Sequence, residues 1–322
     1  MSSEMISRRE LLKLGVIAGA GSVLPSLTVA VSETASQPLR IAHLNDSHTQ
    51  PELHAAEGTM ACLRHVRARN PAVAMIVTGG DLVMDSFESD HARTKLQWDL
   101  YTKILRDECS IPVEHTLGNH DIWGWNKKKS GTTGTEPEYG KKWALDVLRL
   151  PKAYRSFDRG GWHFIVLDSV MSDGNGGYLG RLDDEQFDWL RHDLSALDAT
   201  TPVIVVSHIP ILAACVLNDV EGKGYKSREF KIPGTLMMTD SRRIRELFRL
   251  HRNVRLCLSG HIHQLDRVDF DGVTYICDGA VCGAWWKGPN DHCVEGYGVV
   301  DLHSDGTWSH EYVAYGWKAE IR

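Results

Sequence analysis

Short apolar runs with the length of buried β-strands recur along this chain, and each of them ends directly at an aspartate, an asparagine or a histidine, or within a few residues of one. Segments with the apolar spacing of amphipathic helices separate most of these runs, so strand and helix alternate from Leu39 onwards. This alternation predicts an α/β fold built on parallel strands. The apolar runs cover residues 39–44, 72–78, 112–117, 202–207 and 254–259, and the helical segments cover 52–70, 89–106, 183–197 and 240–250.

Pairs of strand-like segments joined by short turns predict three antiparallel hairpins, two of them in the last sixty residues. The three hairpins pair residues 154–157 with 162–167, 265–270 with 273–277, and 298–302 with 307–315. We expect the C-terminal strands to form a second sheet packed on the first, which gives a layered α/β sandwich with its helices outside. The chain has no internal repeat and no linker-like segment after Pro38, so one domain is expected from there on.

The charge balance and the histidine content restrict the function. The chain has 36 basic and 42 acidic residues, and its formal charge of −6 is spread along the sequence. That balance argues against bulk nucleic-acid binding and against the long basic groove of a nuclease. The 16 histidines are roughly twice the number that average usage predicts for this length. A surplus of histidine suggests metal or proton chemistry.

Cysteine usage gives little support for disulfides or for a cysteine-based zinc site. The chain has seven cysteines, an odd number, and no pair has the spacing of a CxxC motif. Several lie in apolar runs, as Cys257 does, which favours buried thiols that pack as small apolar side chains. One bridge among Cys277, Cys282 and Cys293 stays open as an alternative.

The first 35 residues have the order of an export signal rather than of a packed helix. The pair Arg8 and Arg9 is followed by a glycine-rich apolar stretch at residues 14–30 and then by a polar linker. This order resembles a twin-arginine signal peptide with a small-residue cleavage site at its end. We therefore expect the twin-arginine export machinery as a transient partner and a periplasmic or secreted protein. An uncleaved membrane anchor is the alternative, because the stretch is nearly long enough to span a bilayer.

Polar side chains with metal-binding atoms follow all five apolar runs. The carboxyl ends of parallel strands meet at one edge of a sheet, so these side chains are expected to converge on one crevice. They supply oxygen and imidazole donors and no thiolate, which suits Fe, Mn or Zn better than calcium or a structural zinc. In chain order they are Asp46, His48, Asp81, Asn119, His120, His208, His261 and His263.

The spacing of these residues predicts two ions rather than one. In an extended strand, the side chains of His261 and His263 point to opposite sides and cannot comfortably share one metal. Asp46 and His48 lie in a predicted turn, where both side chains can reach the same ion. A carboxylate that reaches both ions is then needed, and Asp81, which follows two glycines, is the candidate.

Taken together and in order, these motifs resemble those of the calcineurin-like metallophosphoesterases. The matching segments are the D-x-H of Asp46, the G-D of Asp81, the G-N-H-D at residues 118–121, the S-H of His208 and the G-H-x-H of His261. The resemblance is greatest to the bacterial branch that is similar to class III cyclic-nucleotide phosphodiesterases. It implies a four-layer α-β-β-α sandwich over residues 38–322, with two mixed β-sheets, flanking helices and a dinuclear metal site at the carboxyl ends of strands.

The resemblance also implies a ligand set and a mechanism. One ion would be held by Asp46, His48, Asp81 and His263, and the other by Asp81, Asn119, His208 and His261. A hydroxide that bridges the ions would attack phosphorus, and His120 would protonate the leaving oxygen as general acid. Asp121 is expected to orient or charge the His120 imidazole, with a helix N-cap as the alternative role.

The expected activity is therefore hydrolysis of a small phosphoester, a diester rather than a monoester. A phosphomonoesterase of the same fold and a metal- or phosphate-binding module without turnover are the alternatives. Purple acid phosphatases carry a metal-bound tyrosine shortly after the residue that matches Asp81, whereas Leu82, Val83, Met84 and Asp85 follow it here. A tyrosinate–iron site is therefore not expected. The oligomeric state is left open.

Substrate choice is expected to depend on the loops. Residues 122–139 contain Trp123, Trp125 and three consecutive lysines, so they predict either a lid over the substrate or a solvated insertion. Residues 214–233 could form the opposite wall. For Trp285 and Trp286, packing in the core or at a sheet edge is favoured over contact with substrate.

Overall fold

The computed structural model describes residues 37–218 and 231–320. The predicted export segment, residues 1–35, lies outside the described residues, as does most of the predicted wall at 214–233. Within the described residues, no helix is both long enough and apolar enough to cross a membrane. All seven cysteines lie in the described part of the chain and all are free thiols, so the bridge left open among the last three is not formed.

Two mixed sheets form the centre of the fold. In the first sheet the strand order is β13-β12-β1-β2-β3, with β1, β2 and β3 parallel and β12 and β13 antiparallel to their neighbours. In the second sheet the order is β10-β11-β9-β8-β5-β4, with a parallel centre and an antiparallel strand at each edge. The strands are β1 (Leu39–Leu44), β2 (Met75–Thr78), β3 (Val113–Glu114), β4 (Arg155–Arg159), β5 (Trp162–Val166), β6 (Val170–Ser172), β7 (Tyr178–Gly180), β8 (Val203–Val206), β9 (Val254–Ser259), β10 (Asp266–Phe270), β11 (Val273–Cys277), β12 (Gly296–Leu302) and β13 (Trp308–Ala314).

The two sheets pack face to face because their strands are apolar on both sides. In β8, Ile204 and Val206 join a buried cluster that also holds Ile41 of the first sheet. The alternate residues Val203 and Val205 face the other way and pack with helices. This alternation with a period of two residues is what a strand buried on both faces requires.

Helices cover the outer face of each sheet. The helices α1 and α2 pack on the first sheet, and α5 and α6 pack on the second. The resulting order of layers is helices, sheet, sheet and helices, so the predicted four-layer α-β-β-α sandwich is confirmed. The helices are α1 (Ala55–Arg67), α2 (His91–Glu108), α3 (Lys127–Ser130), α4 (Lys142–Leu148), α5 (Asp184–Ala196) and α6 (Ser241–Leu250).

The C-terminal strands do not form a sheet of their own, and in this respect the prediction was wrong. The β10–β11 hairpin extends the second sheet, because β11 pairs in parallel with β9. The β12–β13 hairpin extends the first sheet, because β12 pairs with β1. Each hairpin supplies backbone partners to an edge of a parallel core that would otherwise expose unpaired N–H and C=O groups. The β6–β7 hairpin was not predicted.

Two histidines inside predicted strands have structural partners. His43 is fully buried in β1, and its Nδ1 lies 2.7 Å from the Asp278 carboxylate. His163 in β5 lies between the carboxylates of Asp158 and Asp193, at 2.7 and 2.9 Å. Both imidazoles therefore have carboxylate partners away from the crevice described next.

Candidate metal centre

The predicted metal-binding residues converge, and they come from both sheets. Loops after β1, β2 and β3 of the first sheet bring Asp46, His48, Asp81, Asn119 and His120, and loops after β8 and β9 of the second sheet bring the remaining three histidines. The crevice therefore lies where the carboxyl ends of two packed sheets meet, rather than along one open sheet as the sequence suggested.

One cluster of metal-binding atoms forms around His263. Its Nε2 lies 3.2 Å from Nε2 of His48 and 3.5 Å from Oδ1 of Asp46. The second cluster forms around His208, whose Nε2 lies 3.0 Å from Oδ1 of Asn119 and 3.0 Å from Nδ1 of His261.

The Asp81 carboxylate connects the two clusters. Its Oδ2 lies 3.6 Å from Nε2 of His48 and 3.3 Å from Nε2 of His208. Ligands held about 2.1 Å from one ion are separated from each other by about 3.0 to 3.4 Å, so the spacing in both clusters is close to what one ion each would need. The donor set thus fits two metal ions, and the Asp81 carboxylate lies between the clusters, where a bridging ligand would have to be.

Backbone carbonyls orient the imidazoles. The Nδ1 of His208 donates to the carbonyl of Gly79 at 2.8 Å, and the Nδ1 of His263 donates to that of Gly283 at 2.7 Å. His261 is reversed, because its Nε2 donates to the carbonyl of Thr235 at 2.7 Å. In each ring the outward nitrogen carries the N–H that donates to a carbonyl, so the inward nitrogen is the one that could bind a metal ion, as in metal-binding histidines.

The buried charges favour cations in the crevice. Burial lowers the pKa of His48 to about 3 and that of His261 to about 4, so both imidazoles are neutral and can donate a lone pair. For His208 burial acts in the same direction, but the carboxylates of Asp81 and Asp46 outweigh it and raise the pKa to about 9. The buried carboxylates of Asp46 and Asp81 thus stabilise positive charge at this place, whether a proton on His208 or a metal ion carries it.

The backbone of the metal-binding loops is strained. Positive φ angles occur at Asp46 (54°), His48 (38°), Asp81 (52°), His261 (74°) and His263 (57°), whereas only a few per cent of non-glycine residues adopt this region. Strain of this kind persists where a fold holds functional side chains in one orientation.

The H-x-H motif does not have the extended backbone that its prediction assumed. Because β9 ends at Ser259, His261 and His263 lie in a turn and not in an extended strand. Their rings nevertheless point to different clusters, as predicted. Gly260 allows this turn to approach the first loop, since a Cβ at this position would lie 2.5 Å from Oδ2 of Asp46.

Asp121 joins two of the loops and does not contact the His120 ring. Its Oδ1 accepts hydrogen bonds from the backbone N–H groups of Leu82 (2.8 Å) and Val83 (3.3 Å), and its Oδ2 accepts one from Gly118 (2.8 Å). The short 3-10 helix here begins after Gly118, so Asp121 is its third residue and not its N-cap. Neither predicted role matches this geometry, because both carboxylate oxygens are taken up by backbone amides.

We expect Asp121→Ala to destabilise the fold by about 3 to 5 kcal/mol, because three buried N–H groups lose their acceptor. The measurement is the free energy of unfolding in urea. The turnover of alkyl and aryl phosphoesters should fall by the same factor, because the substitution displaces the loops without removing a proton donor. A selective loss on alkyl esters would instead support the original prediction that Asp121 acts through His120.

His120 lies beside the first cluster. Its ring is perpendicular to that of His48, with 4.7 Å between the ring centroids, and its backbone N–H donates to Oδ1 of Asp81 at 2.8 Å. Its Nδ1 is buried and has no hydrogen-bond partner in the described part of the chain. The residue is therefore held next to the Asp81 carboxylate through its backbone, with its side chain only partly buried.

Two aromatic side chains border the crevice, Trp285 and Tyr178, and sequence reasoning missed Tyr178. The Trp285 ring lies 4.7 Å from that of His263, and the Tyr178 ring lies 6.2 Å from that of His261, both measured between centroids. Of the two places expected for these tryptophans, the core or a sheet edge, Trp286 is buried in the core, whereas Trp285 is exposed and lies outside it. Two adjacent tryptophans give no periodicity from which their orientations could be distinguished.

The loop at 122–139 contributes mainly to packing. Trp123 is buried against Trp143, with 4.9 Å between the ring centroids, and Trp125 packs edge-on against Phe87. Of the three consecutive lysines, Lys129 forms an ion pair with Glu88. These contacts match a packed surface insertion better than a lid.

Comparison with known proteins agrees with this geometry. A family model described as calcineurin-like phosphoesterase matches residues 39–265. The chain is 22% identical to a 3′,5′-cyclic-nucleotide phosphodiesterase of Nostoc sp. over 84% of its own length and 91% of that protein. It is also 22% identical to the 3′,5′-cyclic adenosine monophosphate phosphodiesterase CpdA of Escherichia coli, over 85% and 88% of the two chains. A third relative, purple acid phosphatase 23 of Arabidopsis thaliana, is 26% identical over 59% of this chain and 43% of that protein.

Solved structures show the same fold. A dimetal phosphatase from Danio rerio superimposes with a TM-score of 0.56 at 16% identity, covering 83% of this chain and 93% of that one. A purple acid phosphatase from yellow lupin gives a TM-score of 0.56 at 14% identity, covering 88% of this chain and 52% of that one.

Proposed function

The chain belongs to the calcineurin-like phosphoesterase family, and on that premise we propose that it is an exported phosphodiesterase that acts on a small substrate with two metal ions. The observation that carries the proposal is the position of the Asp81 carboxylate, one oxygen of which faces a histidine of each cluster. Export rests on the Arg8 and Arg9 pattern alone.

We assign the ligands as the sequence motifs indicate. Asp46, His48, Asp81 and His263 would hold one ion, and Asp81, Asn119, His208 and His261 would hold the other. When bound, the two ions would supply Lewis acidity for the phosphoryl oxygens and an activated water as nucleophile. Nitrogen and oxygen donors of this kind accept Fe, Mn or Zn.

The chain itself would supply the proton for the leaving oxygen and the orientation of the site. His120 stands beside the first cluster and its side chain is only partly buried, which suits a general acid that must reach a leaving oxygen. Asn119 contributes a neutral amide oxygen, so the site stays less negative towards a phosphate anion. Asp121 serves as a positioning residue, since it ties the loop of Asp81 to that of His120.

A diester is favoured over a monoester by the relatives. Those that match most of this chain over most of their own length are named as cyclic-nucleotide phosphodiesterases, whereas the purple acid phosphatase matches over less than half of its length. A phosphomonoesterase remains the second candidate because of that phosphatase similarity. A module without turnover would have no use for His120 in its observed position.

A substrate panel tests the proposal. Purified protein is loaded with Mn, Fe or Zn and assayed on bis(4-nitrophenyl) phosphate, 4-nitrophenyl phosphate, 3′,5′-cyclic AMP and a glycerophosphodiester. We expect kcat/KM for the diesters to exceed that for the monoester at least about tenfold, which is a difference of about 1.4 kcal/mol in transition-state binding. Preference for the monoester would favour the second candidate, and metal binding without turnover would favour the binding module.

A further inference from the structure

The segment at residues 281–286 is bonded to the metal-binding loops. The backbone N–H of Val281 donates to the carbonyl of Asn45 at 2.9 Å, and that of Cys282 donates to the carbonyl of Asp46 at 3.2 Å. The carbonyl of Gly283 accepts the hydrogen bond from Nδ1 of His263. This segment therefore keeps a fixed position relative to the first cluster.

Trp286 anchors the end of the segment. Its side chain is buried, and its Nε1 donates to the carbonyls of Ser47 (3.1 Å) and His48 (3.0 Å). Gly58 of α1 leaves room for the indole, since a Cβ at that position would overlap the ring. Trp286 thus fixes the backbone on which its neighbour stands.

Trp285 combines backbone strain with exposure. Both tryptophans have positive φ angles, 50° for Trp285 and 68° for Trp286, which is a strained conformation for bulky side chains. Core packing accounts for Trp286 only, because 39% of Trp285 is exposed. The Trp285 ring is tilted by 37° on the ring of the cluster residue His263. A strained, anchored and exposed indole at the edge of the crevice is available for a ligand.

We propose that Trp285 is a stacking platform for a planar aromatic group of the phosphoester, a nucleobase or an aryl ester group, bound while the phosphoryl group lies at the metal centre. The proposal rests on the proposed function and narrows its substrate class. Aromatic rings stack on indole without regard to hydrogen-bond pattern, so the platform would favour aromatic over aliphatic esters. Trp123 and Trp125 are not available for this role, because they pack against other aromatic side chains.

Binding measurements test the platform without requiring turnover. Calorimetric titrations of the metal-loaded full chain with AMP, with 4-nitrophenyl phosphate and with inorganic phosphate are compared for wild type, Trp285→Ala and Trp285→Phe. We expect Trp285→Ala to weaken AMP binding about tenfold and Trp285→Phe to weaken it less than about threefold, with phosphate binding affected much less than AMP binding. If Trp285→Ala binds only AMP more weakly, the occupant is a nucleobase. If it binds both AMP and 4-nitrophenyl phosphate more weakly, the platform accepts any aromatic group.

The control is Trp189→Ala, since Trp189 lies on α5 against Tyr154 and not at the crevice. It should leave all three affinities unchanged, and thermal unfolding of each variant checks the fold. Equal weakening of AMP and inorganic phosphate by Trp285→Ala, or no weakening of either, would overturn the proposal.

Kinetics then separate this proposal from the proposed function. In Trp285→Ala, KM should rise at least about tenfold more for 3′,5′-cyclic AMP or bis(4-nitrophenyl) phosphate than for a glycerophosphodiester. A wild type that binds AMP through Trp285 but hydrolyses nothing would refute the hydrolase and support the platform. If the wild type hydrolyses the esters but Trp285→Ala raises KM equally for all of them, the result supports the hydrolase and refutes the platform.

Discussion

Replacing Asp81 with asparagine should remove at least one of two bound ions and lower kcat/KM for phosphodiesters by about a thousandfold. Asp81 is the carboxylate that faces both clusters, with its Oδ2 at 3.6 Å from His48 and 3.3 Å from His208. An asparagine has the same shape but carries no charge, so its amide oxygen attracts two cations far less strongly than the carboxylate does. Loss of a metal that stabilises transition-state charge by several kcal/mol corresponds to that factor.

Elemental analysis of the purified protein measures the ion content, and assays on one diester measure the activity. The matched control is Asp193→Asn, which also removes a carboxylate that faces a histidine, but in α5 on the outer face of the second sheet. That variant should keep two ions. An Asp81→Asn protein with two ions and activity within tenfold of wild type would show that the bridging assignment is wrong.

Replacing His120 with alanine should harm the hydrolysis of alkyl esters far more than that of nitrophenyl esters. An alkoxide needs a proton as it leaves, whereas a nitrophenolate leaves readily without one. Loss of a positioned general acid therefore costs about 10² to 10⁴-fold on an alkyl ester. The loss on the nitrophenyl ester should be smaller by at least about tenfold.

The methyl and 4-nitrophenyl esters of one nucleoside 5′-monophosphate give a matched pair of substrates for this comparison. Metal content must be measured as well, because nitrogen atoms of His120 and His48 and an oxygen of Asp81 lie within 4.8 Å of one another and could hold an ion. His192→Ala, an exposed histidine on α5, is the control. Equal losses on both esters, or loss of an ion, would exclude His120 as general acid.

The sequence alone was sufficient to locate the crevice. Which side chain follows a strand is a property of local chain order, so runs such as 39–44 and 254–259 predict that Asp46 and His261 stand at strand ends. Strands β1 and β9 then begin and end where the apolar runs do. The third run, at 112–117, was less informative, because only Val113–Glu114 pairs as a strand and the loop before Asn119 is longer than predicted.

The part that Asp121 plays depended on contacts that chain order does not show. Its carboxylate accepts from Leu82 and Val83, which precede it by almost forty residues, and a local pattern could only suggest a partner next to it, namely His120. In the same way, the two rings of the H-x-H motif lie in different clusters although its backbone turns rather than extends.

The sequence by itself thus determined the alternation of strand and helix, the convergence of metal-binding side chains and the family. Only the tertiary structure decided that β11 joins β9 while β12 joins β1, and that Trp285 stands at the crevice while Trp286 is buried. The physical reason is that hydrophobic periodicity is encoded within a few neighbouring residues, whereas strand partners and loop anchors depend on which distant backbone groups need hydrogen bonds.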